Sequence, residues 1–317
     1  MAKAHKILVI KLGAFGDVIM GEGALRDIRA CHPDAEITVL TTPPYRRIME
    51  RCPSIDRVML DPRAPRWKIS KLIKLRTALH AQNFDRVYDL QNSSRTAMYF
   101  RWMRAANRNL AWSGTAKGCS HPHHAKQPKK IPGLDRLAGQ LADAGVPVIN
   151  TLTPDVSWMA DDVQALMAAH RVKPGFILLI AGASARHPQK RWPYFAELAE
   201  ALHQKDYQTV TAPGPDEMDL CSALSSVMLL DDGKPLNFFQ LAGLVKQAGY
   251  VVTNDTGPGH LAAHGGAAGG LALFGAHTPA ERTCIDRRFD VMETGNLADL
   301  NVDSVMGCIL QSLKNAH

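Results

Sequence analysis

The strongest constraint on the fold is a rhythm that starts twice: short apolar runs, each followed by a stretch with helical spacing. Residues 6–10 (KILVI) end in a turn carrying Gly13 and Gly16, and residues 18–30 follow as a helix. Residues 36–40 (EITVL), 44–51, 57–60 (RVML), 68–82 and 85–90 (DRVYDL) continue as strand, helix, strand, helix, strand. After a helix at 134–144 the pattern restarts with strands at 176–181 (FILLIA), 207–211 (YQTVT), 250–253 (YVVT) and 271–274 (LALF), the last clear one. Helices are expected at 194–203, 215–225, 237–247, from 258 and at 303–313. Apolar runs this short, alternating with helices, predict parallel strands covered on both faces. The expected class is α/β, with two Rossmann-like doubly wound domains in tandem and a ligand crevice at the carboxyl ends of both sheets.

A chain of 317 residues exceeds one ordinary core, which agrees with two domains. Residues 145–154 (GVPVINTLTP) lack helical period and carry two prolines, so they read as the linker between residues 1–150 and 151–317. Residues 101–130 hold many Arg, Lys and His with few periodic apolar positions, and read as a long loop or loosely structured insertion.

Composition is globular, with 46% hydrophobic and 21% charged residues. The net charge of +7 favours anionic partners such as phosphates, acidic glycolipids or nucleic acid without choosing among them. Aromatic residues, at 6%, form no stacking ladder among the basic ones, which argues against single-stranded nucleic acid. Six scattered cysteines without a C-x-x-C pair point to reduced thiols. The sequence opens directly into a strand, and no apolar run reaches the ~20 residues needed to span a bilayer. A cytoplasmic protein that at most touches a membrane surface is expected.

Three motifs carry chemistry. The first is Lys11-Leu-Gly-Ala-Phe-Gly-Asp17, after the first strand. Gly13 and Gly16 allow close backbone approach to a ligand, and a helix start favours anions. The spacing is not G-x-G-x-x-G, so a dinucleotide site is weakly supported. Asp17 is either a general base for an acceptor hydroxyl or a helix-start carboxylate complementing the macrodipole. The second motif is Asn254-Asp-Thr-Gly-Pro-Gly-His260 at the end of a strand. Thr256 and the amides of Gly257 and Gly259 offer donors to a phosphate, and His260 sits in the first helical turn. The alternative is an ordinary strand-to-helix turn capped by Asp255. In the third, residues 184–193, Lys190 and Arg191 could neutralise charge on a departing diphosphate or form a solvated basic pair. There is no D-x-D at a strand end to hold Mg²⁺. Cys119, His121, His123 and His124 lack a second cluster to complete a tetrahedral set, so neither a metal nor a cofactor is expected.

Together these stretches resemble glycosyltransferase family 9, the lipopolysaccharide heptosyltransferases and their relatives. The resemblance rests on KILVIKLGAFGDVIMGEGALRDIRACHPDAEITVLT, NFDRVYDLQNSSRTA, QKRWPYFAELAEAL, DGKPLNFFQLAGLVKQAGYVVTNDTGPGHLAA and LALFG, in the family's order. It implies a GT-B architecture with a central cleft, an N-terminal acceptor domain, a C-terminal donor domain, and inverting, metal-independent transfer from a nucleotide-diphosphate sugar, ADP-heptose being the leading donor. By the same resemblance Asp17 is the catalytic base and Lys190 contacts the donor diphosphate. Asp255, Thr256, Gly257 and His260 lie in the donor-binding segment, with Arg191, Asn254 and Gly259 beside them. Gln91, Asn92, Ser94 and Arg95, with Gly13 and Gly16, face the acceptor. The sequence departs from the family after LALFG, where Ala276–Cys284 replaces a proline-rich segment, and in the glycine-rich stretch 265–270.

The basic helix 68–82 and the stretch 101–130 suit an acidic glycolipid acceptor at the inner face of a membrane; a solvated positive face is the alternative. Two other functions compete: a nucleotide-sugar epimerase of the two-domain hydrolysing type, and a non-catalytic nucleotide-sugar-binding protein. The DLQNSSR stretch argues against the first, and the presence of both Asp17 and Lys190 against the second.

Overall fold

The computed structural model describes residues 5–124, 131–184 and 187–315. The chain forms two compact units, residues 1–154 and 155–317. In the first, strands β1 (Lys6–Ile10), β2 (Glu36–Thr41), β3 (Arg57–Leu60), β4 (Arg86–Asp89), β5 (Ala111–Gly114) and β6 (His121–Pro122) form one sheet of order β3-β2-β1-β4-β5-β6. In the second, β7 (Ile177–Ile180), β8 (Thr209–Thr211), β9 (Val227–Met228), β10 (Tyr250–Asn254), β11 (Gly270–Phe274) and β12 (Asp290–Glu293) form a sheet of order β12-β11-β10-β7-β8-β9. Every pairing is parallel. Each unit therefore has the same doubly wound order. Connections reverse between β1 and β4 in one sheet, and between β7 and β10 in the other.

The central strands are apolar because both faces are covered. Ile7, Leu8, Val9 and Ile10 are all sealed from solvent, as are Val251 and Val252 of β10. The second unit packs one core on each sheet face. Leu178, Val245, Val251 and Phe274 belong to one; Leu179, Leu198, Val252 and Ile309 to the other. Truncating a sealed Leu such as Leu178 to Ala would cost about 2–5 kcal/mol.

Two expectations change. Half of residues 101–124 is helix or strand rather than a loose insertion; residues 125–130 lie outside the described residues. Helix Ser94–Ala106 runs well into the stretch, and β5 and β6 follow. Ser93 caps the helix by accepting from the Thr96 amide, and Thr96, Tyr99, Phe100 and Met103 are buried at the spacing of one helix face. The segment 145–154, expected as the linker, ends where the first unit does, and its end is bonded to helix Glu22–Cys31. The buried Asp27 carboxylate accepts the amides of Ile149, Asn150 and Thr151 and the Thr151 hydroxyl at 2.6 Å. These bonds hold Asp27 below the usual carboxylate range although burial pushes it up. A further strand, β12, follows the one expected to be last.

Candidate functional site

In an open α/β sheet the point where connections reverse leaves a crevice at the carboxyl ends of the strands. In the first unit that point is occupied by the residues after β1 and β4. Gly13 has φ of 115°, and a Cβ there would reach the Tyr45 ring at 2.5 Å, so glycine alone suits the turn. Gly16 is buried in the short helix Phe15–Met20. Asp17, in that helix's first turn, is half-buried and accepts from the Ala14 amide at 3.1 Å through Oδ2. The helix-start role is thus real, and it coexists with access to a cavity of about 640 Å³ that Asp17 lines.

The same cavity is lined by Lys11, Gln91, Asn92, His124, Arg136 and Gln140, among others. After β4, the Asp89 carboxylate accepts the amides of Gln91 and Asn92, folding the chain into a tight turn with Asn92 at φ of 49°. The Gln91 side chain accepts from the Leu12 amide at 2.8 Å, tying the turn to the end of β1. Asn92 donates to the buried Gln140 side chain at 2.7 Å, and Gln140 donates to the Asp89 carbonyl. Lys11 Nζ donates to the Leu90 carbonyl. Burial pushes the Lys11 ammonium below its ordinary value; Asp17 and Asp89 pull it up and Arg136 pushes it down. Burial lifts Asp89 to about 6, against the opposing pull of Thr96, the Asn92 and Gln91 amides and Lys11.

Ser94 and Arg95 do not line this cavity. Ser94 is exposed at the helix start, near Arg66. Arg95 grips the fully buried Asp61 through two nitrogens at 2.8 Å and donates to the Ala64 carbonyl. The structure brings in Lys11, Arg136, His124 and Gln140 instead. Lys11 stands in the first motif; Arg136 and Gln140 come from helix Gly133–Asp143, one turn apart.

In the second unit the reversal point gathers the second and third motifs. Asn254 ends β10 fully buried; its amide nitrogen donates to the carbonyls of Ala181 and Gly182, and its oxygen accepts from the Trp192 amide at 3.0 Å. That side chain holds the loop after β7 over the turn after β10. Lys190, in the single turn Pro188–Lys190, reaches Asp255 Oδ2 at 2.5 Å, both side chains mostly buried. Arg191 donates to the Ala183 carbonyl. Ala185 and Arg186 lie outside the described residues.

Thr256, not Asp255, is the N-cap of helix Gly257–His264. Its hydroxyl accepts from the Gly259 amide at 3.2 Å, so that donor is engaged rather than free. Gly259 lets helix and strand approach closely; a Cβ would meet the Thr253 hydroxyl at 2.8 Å. His260 is buried in the first turn. Glu217 was not visible as a site residue from sequence. Its carboxylate accepts from the Gly214 amide at 2.9 Å and lies over Gly182, where any Cβ would collide with it.

Two of the three histidines of the 119–124 stretch go to separate partners: His121 meets Arg86 and His123 meets Asp143. Among the described residues no group of three or more His, Cys, Asp or Glu is placed to hold a metal ion.

Lipopolysaccharide heptosyltransferase 2 of Escherichia coli K12 is 25% identical over 291 residues, covering 81% of this chain and 79% of that protein. The crystal structure of a family 9 glycosyl transferase from Veillonella parvula superposes with a TM-score of 0.81 at 21% identity, covering 98% of this chain and 97% of that one. The E. coli heptosyltransferase WaaC with ADP-2-deoxy-2-fluoro heptose gives a TM-score of 0.72 at 19% identity over 97% and 99% of the two chains. At these identities the structural likeness speaks for the fold, which is GT-B. The sequence model described as glycosyltransferase family 9 (heptosyltransferase) matches residues 72–309, well over half of the protein, and the chain belongs to that family of sugar-transferring enzymes.

Proposed function

We propose that this enzyme moves heptose from ADP-heptose, with inversion and without a metal, onto a hydroxyl of an acidic lipopolysaccharide-type glycan at the cytoplasmic face of the inner membrane. In this reading residues 1–150 bind the acceptor and residues 151–317 the donor. The observation that carries it is the Lys190–Asp255 pair beside the Thr256-capped helix start, tied by Asn254 to the loop after β7. An ammonium and a helix N-terminus at a sheet's reversal point are what a diphosphate needs. The donor's identity is supported by the fluoro-heptose ADP sugar named with the WaaC structure. Glu217, at the turn after β8, is placed like the acidic residue that takes ribose hydroxyls in doubly wound nucleotide-binding domains.

On the acceptor side Asp17 takes the proton of the attacking hydroxyl. The freed oxygen forms the new bond to the anomeric carbon as the bond to the diphosphate oxygen breaks, and ADP leaves with its charge met by Lys190, the Gly257 end of the helix and His260. Arg191 supports Lys190 by fixing Ala183. Lys11 and Arg136, beside Asp17 in the cavity, give it the positive charge that an acidic sugar requires. Gln91 and Asn92 shape its floor, and Gly13 and Gly16 keep the turn open to the ligand. Ser94 and Arg95 act on this site through the helix they start.

The test is a thermal-shift screen of ADP-, UDP-, GDP- and dTDP-sugars followed by turnover with a Kdo-bearing acceptor in EDTA. ADP-heptose should stabilise the protein by about 2.7 kcal/mol at a hundredfold excess over Kd. Turnover should survive the chelator. No response to any ADP-sugar, or epimerisation of the donor with acceptor absent, would overturn the reading.

A further inference from the structure

Between β3 and β4 the first unit carries a surface that the transfer chemistry does not use. Residues 62–84 contain Arg63, Arg66, Lys68, Lys71, Lys74 and Arg76 and no Asp or Glu. All six cations are exposed. Among them Trp67, Ile69 and Ile73 stand in solvent at 78%, 64% and 57% exposure. Ile69 and Ile73 lie one turn apart on helix Ile69–Ala81, while the same helix buries Leu75 and Leu79 against the unit's core.

Large apolar side chains grouped this way on a soluble face mark a contact surface. The charge around them selects the partner. A ring of cations without carboxylates is complementary to an anionic surface, and an aromatic with two aliphatic side chains suits the boundary between headgroups and acyl chains. Nucleic acid would use the cations but offers nothing to Ile69 and Ile73. No described helix is long and apolar enough to cross a membrane, so the contact is one of lying on the surface.

We infer that the segment from Arg63 to Arg76 is a membrane-docking surface, with Trp67, Ile69 and Ile73 entering an anionic lipid interface and the surrounding Lys and Arg binding headgroups. It rests on the reading of the acceptor as a glycolipid, and gives that reading a place where the enzyme meets the bilayer.

The experiment is flotation of the full chain with vesicles of phosphatidylethanolamine and phosphatidylglycerol, compared with phosphatidylcholine vesicles, alongside donor affinity in the same preparations. Wild type floats with the anionic vesicles only and is released by high salt. The variant Lys68→Gln/Lys71→Gln/Lys74→Gln loses about 100-fold in partitioning. Trp67→Ser/Ile69→Ser/Ile73→Ser loses about 10-fold or more while keeping its melting temperature, because none of the three is packed in the core. Equal binding to neutral vesicles, no binding at all, or full binding by either variant would overturn the surface. Its failure with donor affinity intact leaves the transfer reading standing. Vesicle binding by a protein that ignores ADP-sugars supports the surface and sinks the transfer reading.

Discussion

The two units share one strand order yet use its reversal point differently. In the first, the chain ends after β1 and β4 stand around a cavity of about 640 Å³ lined by Asp17, Lys11 and Arg136. In the second, the corresponding ends are laced to each other by side chains: Asn254 to Ala181 and Gly182, and Lys190 to Asp255. Topology supplies the location in both cases. In the proposed reading, residue chemistry then makes one a place for proton removal and the other a grip for phosphate. Each also has a fully buried amide that ties strand ends, Gln140 in the first and Asn254 in the second.

This contrast can be broken at its strongest point by Asp17→Asn. If the first site is the proton acceptor, turnover falls about 10²–10⁴-fold while ADP-sugar affinity stays within about twofold. Steady-state kinetics with calorimetric donor binding decide it, and unchanged turnover would erase the distinction between the units. Lys190→Met should do the reverse. A loss of about 10²-fold in kcat/KM is expected, with donor affinity falling and acceptor KM nearly steady.

The buried amides sharpen the comparison through stability. Asn254→Ala strands two carbonyls and the Trp192 backbone amide, and Gln140→Ala strands the Asp89 carbonyl and the Asn92 side-chain Nδ2. Each should cost about 2–3 kcal/mol, read as a fall in melting temperature of several degrees.

A pH effect belongs to the first unit. Asp89 titrates at about 6 in the folded chain, above the ordinary carboxylate value of about 4 when unfolded. Between those values the folded state holds the proton and the unfolded state does not, so this group's contribution to stability falls as pH rises through the window. The loss is on the order of 2–3 kcal/mol. Thermal melts at about pH 4 and about pH 7 should show Asp89→Asn gaining on wild type at the higher pH. A constant gap would place the ionisation elsewhere.

The strands at the centre of each sheet were legible in the sequence because burial on two faces writes itself as unbroken apolar runs such as KILVI and FILLIA. Strands β6 and β9 are two residues long, and β12 is only half-buried, so little apolar pattern marks them. Helix Ser94–Ala106 did carry a signal, apolar or sealed positions 96, 99, 100 and 103, but Arg95, Arg101 and Arg104 interleave with them and give the stretch the composition of a loop. Among the candidate site residues, Asp17, Lys190 and the 254–260 turn were readable from motifs behind strands β1, β7 and β10, and Gln91 and Asn92 from the family resemblance. Arg136, Gln140 and Glu217 were not, since each reaches its place from an element whose position only the folded sheet determines.

Arg95, expected to face an acceptor, clamps Asp61 and the Ala64 carbonyl. The clamp fixes the chain just ahead of Trp67, so the proposed lipid-facing side chains stand on a stiff footing before any bilayer arrives. Little ordering entropy is then left to be lost on adsorption, and weakening the clamp would blunt adhesion to lipid without altering a single side chain that meets it.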